Sequence, residues 1–211
     1  EGIEWLSIRL NDMFNRILIP LDGSILAERA IPHAEEFARI FGATIVLLRV
    51  LEVMSPQDDS DPINPLSWQI RKAEADVYLR EVSARIRAHL SQALIDGGGE
   101  GANDDRVEYA VREGRIAENI IDFAHHENID LLIIGSHGGG GLSRWNFSST
   151  IQKVIELVYL PVLVVRSYQQ QGEIDDRIRY RSILLPIDSS RRAEYALSAG
   201  IMLAQGESML N

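Results

Sequence analysis

Between Asp130 and Ile155 the sequence passes from an aliphatic run through a cluster of glycines into a helical pattern. No other stretch limits the possible folds so tightly. Residues 131–134 are aliphatic without interruption, which suits a strand buried on both faces. Glycines follow at 135, 138, 139, 140 and 141. Ile151, Val154, Ile155 and Val158 then recur at helical spacing, which predicts a helix opening near Ser148. A strand running into a glycine loop and a helix N-terminus presents backbone N–H groups and the positive end of a helix dipole to an anion. Ser148, Ser149 and Thr150 add hydroxyls there, as N-caps or as phosphate ligands.

The rest of the chain continues the alternation. Residues 16–22 read as a short central strand ending in Pro20-Leu-Asp22, with Pro20 where a missing ladder donor does least harm. Ser24 can cap a helix whose stripe is Ala27, Ala30, Ile31, Ala34, Phe37, Ala38 and Phe41; Pro32 predicts a kink in it and Gly42 stops it. A β-branched second strand covers 44–50, and a Pro- and Asp-rich loop follows. From about 68 to 95, Ala75, Leu79, Val82, Ile86, Leu90 and Ala93 share one helical face. A third strand around 107–111, a helix over Ile116 to Ala124, the strand at 131–134 and a fifth strand at 161–166 complete the pattern. Strands alternating with helices predict an α/β fold, a parallel sheet covered on both faces. Ligands of such sheets sit beyond the carboxyl ends of the strands, where strand order reverses. Asp22 and Gly135 would share one crevice if strands one and four are neighbours.

Composition removes several function classes. The net charge of −10, with no compensating Lys/Arg cluster, argues against nucleic acid and anionic membrane as partners. No apolar run approaches the roughly 20 residues of a membrane helix. Without cysteine there is neither a disulfide framework nor a thiolate metal site, which fits a cytoplasmic setting. His125 and His126 fall in a last helical turn, where positive charge complements the dipole. Asp58, Asp59 and Asp61 lack the spacing and distal glutamate of a calcium loop, so no metal site is expected. Ser136 and His137 are adjacent, a poor geometry for a nucleophile and its base, and no catalytic residue is expected either. Arg144 could reach a phosphate or simply be solvated.

Residues 1–12 read as an appendage, 13–167 as the principal domain and 168–180 as a polar linker. Residues 181–211 then begin the pattern again. Pro20, Asp22, Ser24, Ala27 and Glu28 recur as Pro186, Asp188, Ser190, Ala193 and Glu194, a constant 166 residues later. A fixed-offset match of strand, Pro-x-Asp end and cap indicates duplication, with an incomplete second copy.

Three segments carry a family likeness. Ile17-Leu-Ile-Pro-Leu-Asp-Gly-Ser24, Ile133-Ile-Gly-Ser-His-Gly138 and Pro161-Val-Leu-Val-Val165 resemble the universal stress protein family in order and spacing. The resemblance covers 14–167, and 181 to about 206 as the start of a second, tandem copy. It implies a Rossmann-like α/β domain of adenine nucleotide alpha hydrolase type, with a five-stranded parallel sheet and helices on both faces. It also implies a cytoplasmic, ATP-binding, dimeric protein of the stress response without a defined catalytic reaction. ATP-binding members carry G-x2-G-x9-G-[ST] after strand four. Gly135, Gly138 and Ser149 match it, while Ser148 replaces the third glycine.

Carried over position by position, Asp22 would take the ribose hydroxyls and Val50 would offer backbone to adenine. Gly135, Ser136, His137 and Gly138 would line the phosphates, Ser148, Ser149 and Thr150 would donate to them, and Pro20 would shape the crevice. Mg²⁺ would arrive with the ATP. A serine at 148 adds a Cβ and resists positive φ, so weakened triphosphate binding is expected. Two rivals remain: an interaction module of the same fold with its pocket closed, and a slow ATP-hydrolysing enzyme, for which no base or cationic clamp is visible. Strand five, Val162–Val165, is apolar on both faces at an expected sheet edge, so a homodimer through it, or pairing with a second copy, is expected.

Overall fold

The computed structural model describes residues 14–52, 65–96, 106–136 and 148–166, together with 178, 180, 182–185, 197, 200, 201, 203 and 204. Its elements are β1 (Arg16–Pro20), α1 (Ile25–Glu28), α2 (Ile31–Phe41), β2 (Thr44–Leu51), α3 (Pro65–Asp96), β3 (Val107–Glu113), α4 (Ile116–His126), β4 (Leu131–Gly135), α5 (Ser149–Leu157) and β5 (Val162–Val165). All five strands are parallel, in the order β3-β2-β1-β4-β5. The expected five-stranded parallel α/β sheet is the one found.

The sheet divides two cores. Ile17 and Ile19 of β1 point into one, with Ala34, Phe37 and Phe41 of α2 and Leu79, Val82 and Ile86 of α3. Leu18 points into the other, with Ala117, Ile120 and Phe123 of α4 and Val154 of α5. A strand with helices on both faces has no solvent side to make polar, which is why β1 and β4 read as unbroken aliphatic runs. Each such side chain contributes about 1.5–3 kcal/mol by leaving water. The centre of the sheet therefore holds most of the fold.

One expected helix is two. α1 is a single turn capped by Ser24, whose Oγ accepts from the N–H of Ala27 at 3.2 Å. The chain turns at Arg29–Ala30 and α2 starts at Ile31, so Pro32 lies in its first turn instead of inside a continuous helix. An interior proline would clash with the carbonyl four residues before it, and the break removes that clash. In a first turn the missing N–H costs nothing. Gly42 ends α2 as expected, in the left-handed conformation at φ 69°. β3 runs two residues past the predicted 111, to Glu113, and its polar end hid the continuation.

Tyr180, last residue of the expected linker, lies against α2. Its hydroxyl is 2.7 Å from Nδ1 of His33 and its ring meets Phe37 edge-on. Residues 182–185 carry no regular secondary structure, and Leu184 is exposed. The repeat positions Pro186, Asp188, Ser190, Ala193 and Glu194 lie outside the described residues, as do 1–12.

Candidate functional site

Strand order reverses between β1 and β4, which start at the same level and then part. β1 pairs with β4 at Ile17–Leu131 and Leu18–Leu132. Its pairing with β2 ends at Pro20–Leu48, and a last bond runs from the N–H of Leu21 to the carbonyl of Leu48 at 2.8 Å. β2 continues to Leu51 paired only with β3, and β4 continues to Gly135 paired with β5. The central strand thus stops three residues before its neighbour β2 does. Its end forms the floor of a notch, walled by Arg49–Leu51 on one side and the end of β4 on the other. Asp22 and Gly135 both reach this end of the sheet, as neighbouring β1 and β4 require.

Asp22 is exposed and its Oδ1 accepts the N–H of Ser24 at 2.9 Å. This holds the turn from β1 into α1. Gly23 takes φ 83°, a conformation that favours glycine. A Cβ on it would lie 2.8 Å from Nη1 of Arg49, so the guanidinium covers this turn closely. Arg49 also stacks over the ring of Tyr78 at 5.1 Å. The Tyr78 hydroxyl donates to Oε1 of Glu28 at 2.9 Å, and Arg85 donates to Oε2 of the same carboxylate at 2.6 Å. Burial, then the Glu28 hydrogen bond and charge, push the Tyr78 phenol well above its usual range; Arg49 opposes the shift and Asp22 adds to it. The repeat residue Glu28 therefore ties α1 to α3.

The opposite wall carries the helix terminus. α5 connects two parallel strands, so it runs from their carboxyl end back to their amino end, and its N-terminus faces the notch end of the sheet. Ser148 is its N-cap: Oγ accepts from the N–H of Ile151 at 3.3 Å, and the carbonyl from the N–H of Gln152 at 3.0 Å. Its φ of −61° is ordinary for any residue, so the serine that replaces the motif glycine causes no backbone strain. Ser149 is exposed and Thr150 half-buried in the first turn, where N–H groups have no intrahelical partner.

Pro20 closes β1 in the floor of the notch. The Val50 side chain packs against the α4–α5 core, so only its backbone is offered to the notch. Gly135 and Ser136 are buried, and the N–H of Ser136 extends the ladder to the carbonyl of Val165 at 2.7 Å. His137, Gly138, Arg144 and the loop aspartates 58, 59 and 61 lie outside the described residues. Among the described residues no cluster of acidic or histidine side chains could hold a metal, and no helix is long and apolar enough to cross a membrane. His125 and His126 do close α4, where His126 Nδ1 lies 2.7 Å from the carbonyl of Asp122. The sequence reading missed Arg49. Its signal was a charge near the end of the otherwise aliphatic strand 45–51.

A family model described as the universal stress protein family matches residues 13–166. A universal stress protein of Synechocystis sp. is 31% identical over 153 residues, covering 72% of this chain and 86% of its own. Another, from Methanocaldococcus jannaschii, is 26% identical over 164 residues, covering 76% and 86%. Among solved structures, a universal stress protein in complex with cAMP matches with TM-score 0.52 and 19% identity, over 74% of this chain and 99% of that one. One from Archaeoglobus fulgidus covers 92% of this chain and 64% of its own, with TM-score 0.56 and 18% identity. At these identities the two structures speak to the fold alone.

Proposed function

The chain belongs to the universal stress protein family, and from that premise we propose that it binds an adenine nucleotide, ATP, in the notch above β1 and acts as a regulatory protein of the stress response. One observation carries this reading. The central strand, ending before β2 does, leaves a notch at the strand-order reversal, with a carboxylate turn on one wall and a helix N-terminus on the other. Such a pair suits the two ends of a nucleotide: a carboxylate accepts from ribose hydroxyls, and helix N–H groups donate to phosphate. That a protein of this fold is found in complex with cAMP indicates that the fold can admit an adenine nucleotide.

In this reading Asp22 takes the ribose, the Val50 backbone meets adenine and Pro20 shapes the floor. Gly135, Ser136, His137 and Gly138 line the path of the phosphates. Because the Ser148 hydroxyl already caps α5, Ser149, Thr150 and the first-turn amides take the phosphates, and Mg²⁺ comes with the ATP. The buried Ser136 is a poor nucleophile, so the reading is of a non-catalytic, cytosolic protein.

Calorimetric titration with ATP tests it. The wild type is expected to bind, and Asp22→Ala to lose about tenfold or more in affinity, the scale of hydrogen bonds to a charged group. No heat from the wild type would leave an interaction module of the same fold. Release of ADP under turnover would favour the slow hydrolase. For assembly, β5 is the outermost strand, with Val162, Leu163 and Val164 only half-buried, and is the edge through which we expect a dimer or a tandem pairing. Sedimentation of wild type showing only monomer at micromolar concentration would count against it.

A further inference from the structure

Among the described residues beyond 166, Tyr180 and Leu203 pack against the core beneath α2 and α3. They stand 166 residues after Phe14 and Phe37, the offset at which the chain repeats. Phe14 precedes β1 and packs its ring against Phe37 and Phe41, with centroids 5.9 and 5.1 Å apart. Tyr180 precedes the repeat's copy of that strand and meets the same Phe37 edge-on at 6.0 Å. In the repeat, Leu203 and Glu207 stand where α2 has Phe37 and Phe41, so the aromatic pair that seats Phe14 is not duplicated. Residue 180 instead takes its aromatic neighbour from the first copy. Within the repeat, a Cβ on Gly200 would lie 2.7 Å from the Leu185 methyls, so helix and strand segment touch closely. Their counterparts Ala34 and Ile19 share the core of the first copy.

Indiscriminate collapse of an apolar tail would bury its aliphatic side chains first, since they gain most by leaving water. Here Leu184 is 92% exposed, Leu197 and Ile201 are exposed too, and Tyr180 goes in. A hydroxyl taken out of water needs a partner. The one on Tyr180 lies 2.7 Å from Nδ1 of His33, one turn before Phe37 on α2. That pair works in one direction. Ala199 stands where His33 would recur, and Phe14 lacks the hydroxyl of Tyr180. Two first copies meeting in this way would set Phe14 on His33 and leave a desolvated imidazole without its bond, which disfavours that pairing. We infer that the His33–Phe37 face of α2 is an interaction surface whose partner is the first strand and helix of the repeat in the same chain, with Tyr180 as its specificity residue. β5 is still the outermost strand with this seat filled, so the seat and the β5 edge are separate surfaces.

Two measurements on the full chain test this: NMR titration of the His33 imidazole, and amide hydrogen exchange along residues 197–204. In the wild type the His33 midpoint is expected below its ordinary value of 6.5, because the seat keeps it from water. Tyr180→Ala is expected to raise that midpoint and to speed exchange at 197–204 by about tenfold, with the amides of β1 and β4 unchanged. Leu203→Ala should also raise the His33 midpoint, since loosening the helix loosens the seat. Tyr180→Phe keeps the ring, guards against a folding defect, and should still speed exchange at 197–204 through the lost bond to His33. An unchanged midpoint and unchanged exchange in Tyr180→Ala would overturn the inference. Unchanged exchange in Tyr180→Phe would strike the specificity role of the hydroxyl. A wild-type midpoint that moves with protein concentration would overturn the intrachain seat and place the contact between chains.

Discussion

At the amino end of the sheet, Arg16 donates through both Nη atoms to Glu108 across β2 and through Nε to the carbonyl of Glu127. Asp130 accepts the N–H groups of Asn15 and Arg16 at 2.8 and 3.0 Å, and its own N–H returns a bond to the carbonyl of Arg16. Arg16, before any other influence, holds the Glu108 carboxyl below its usual range. Polar groups there satisfy one another, and β1, β3, β4 and α4 are tied into one edge. At the carboxyl end the same strands part company. β1 stops, β2 runs on beyond it, and the first turn of α5 opens at this end. A sheet needs only one end closed for its register to be set. The other is where the proposed nucleotide site lies.

This contrast can be tested by changing one end at a time. The largest stability effect is expected at the amino end: Asp130→Ala removes two bonds to a charged acceptor and should cost about 2 kcal/mol in urea unfolding. Nucleotide affinity should be unchanged, and a loss of binding would break the division between the ends. A smaller effect belongs to the carboxyl end. Ser148→Ala should cost about 1 kcal/mol through the lost cap and Ser148→Gly only a few tenths, read from the same unfolding curves. A large loss in Ser148→Gly would mean that more than a cap resides there.

The smallest effect lies at neither end. Burial holds the His33 imidazole below its ordinary value of 6.5. The unfolded chain then takes the proton more readily, so the contribution of neutral His33 is complete above that value and is lost as pH falls through the lower folded one. Thermal melts from about pH 7 to about pH 5 should show a decline that His33→Gln flattens. A decline that persists undiminished would place the titration elsewhere.

Much of this was legible because the physics is local. Four consecutive aliphatic residues at 131–134 can only be a strand with two covered faces or a buried helical segment, and the glycines that follow decide between them. The caps at Ser24 and Ser148 need only their own side chain and an amide three residues on, and both occur as read. Pro32 misled because a kink and a break leave the same mark in the sequence. The carbonyl it would have struck belongs to Glu28, where α1 ends.

Alternating strands and helices, the two-sided burial of β1 and β4, and the notch-end placement of Asp22 and Gly135 followed from the chain alone, since each depends on near neighbours and on the handed packing of helices over a parallel sheet. That β1 is the strand that stops early, and that Arg49 meets Gly23 and Tyr78, was decided only by the tertiary structure. Those facts depend on where segments some 26 and 29 residues away from Arg49 come to rest, and no periodicity within β2 encodes that meeting. A cation's role is set by what faces it, and what faces Arg49 is brought there by the fold.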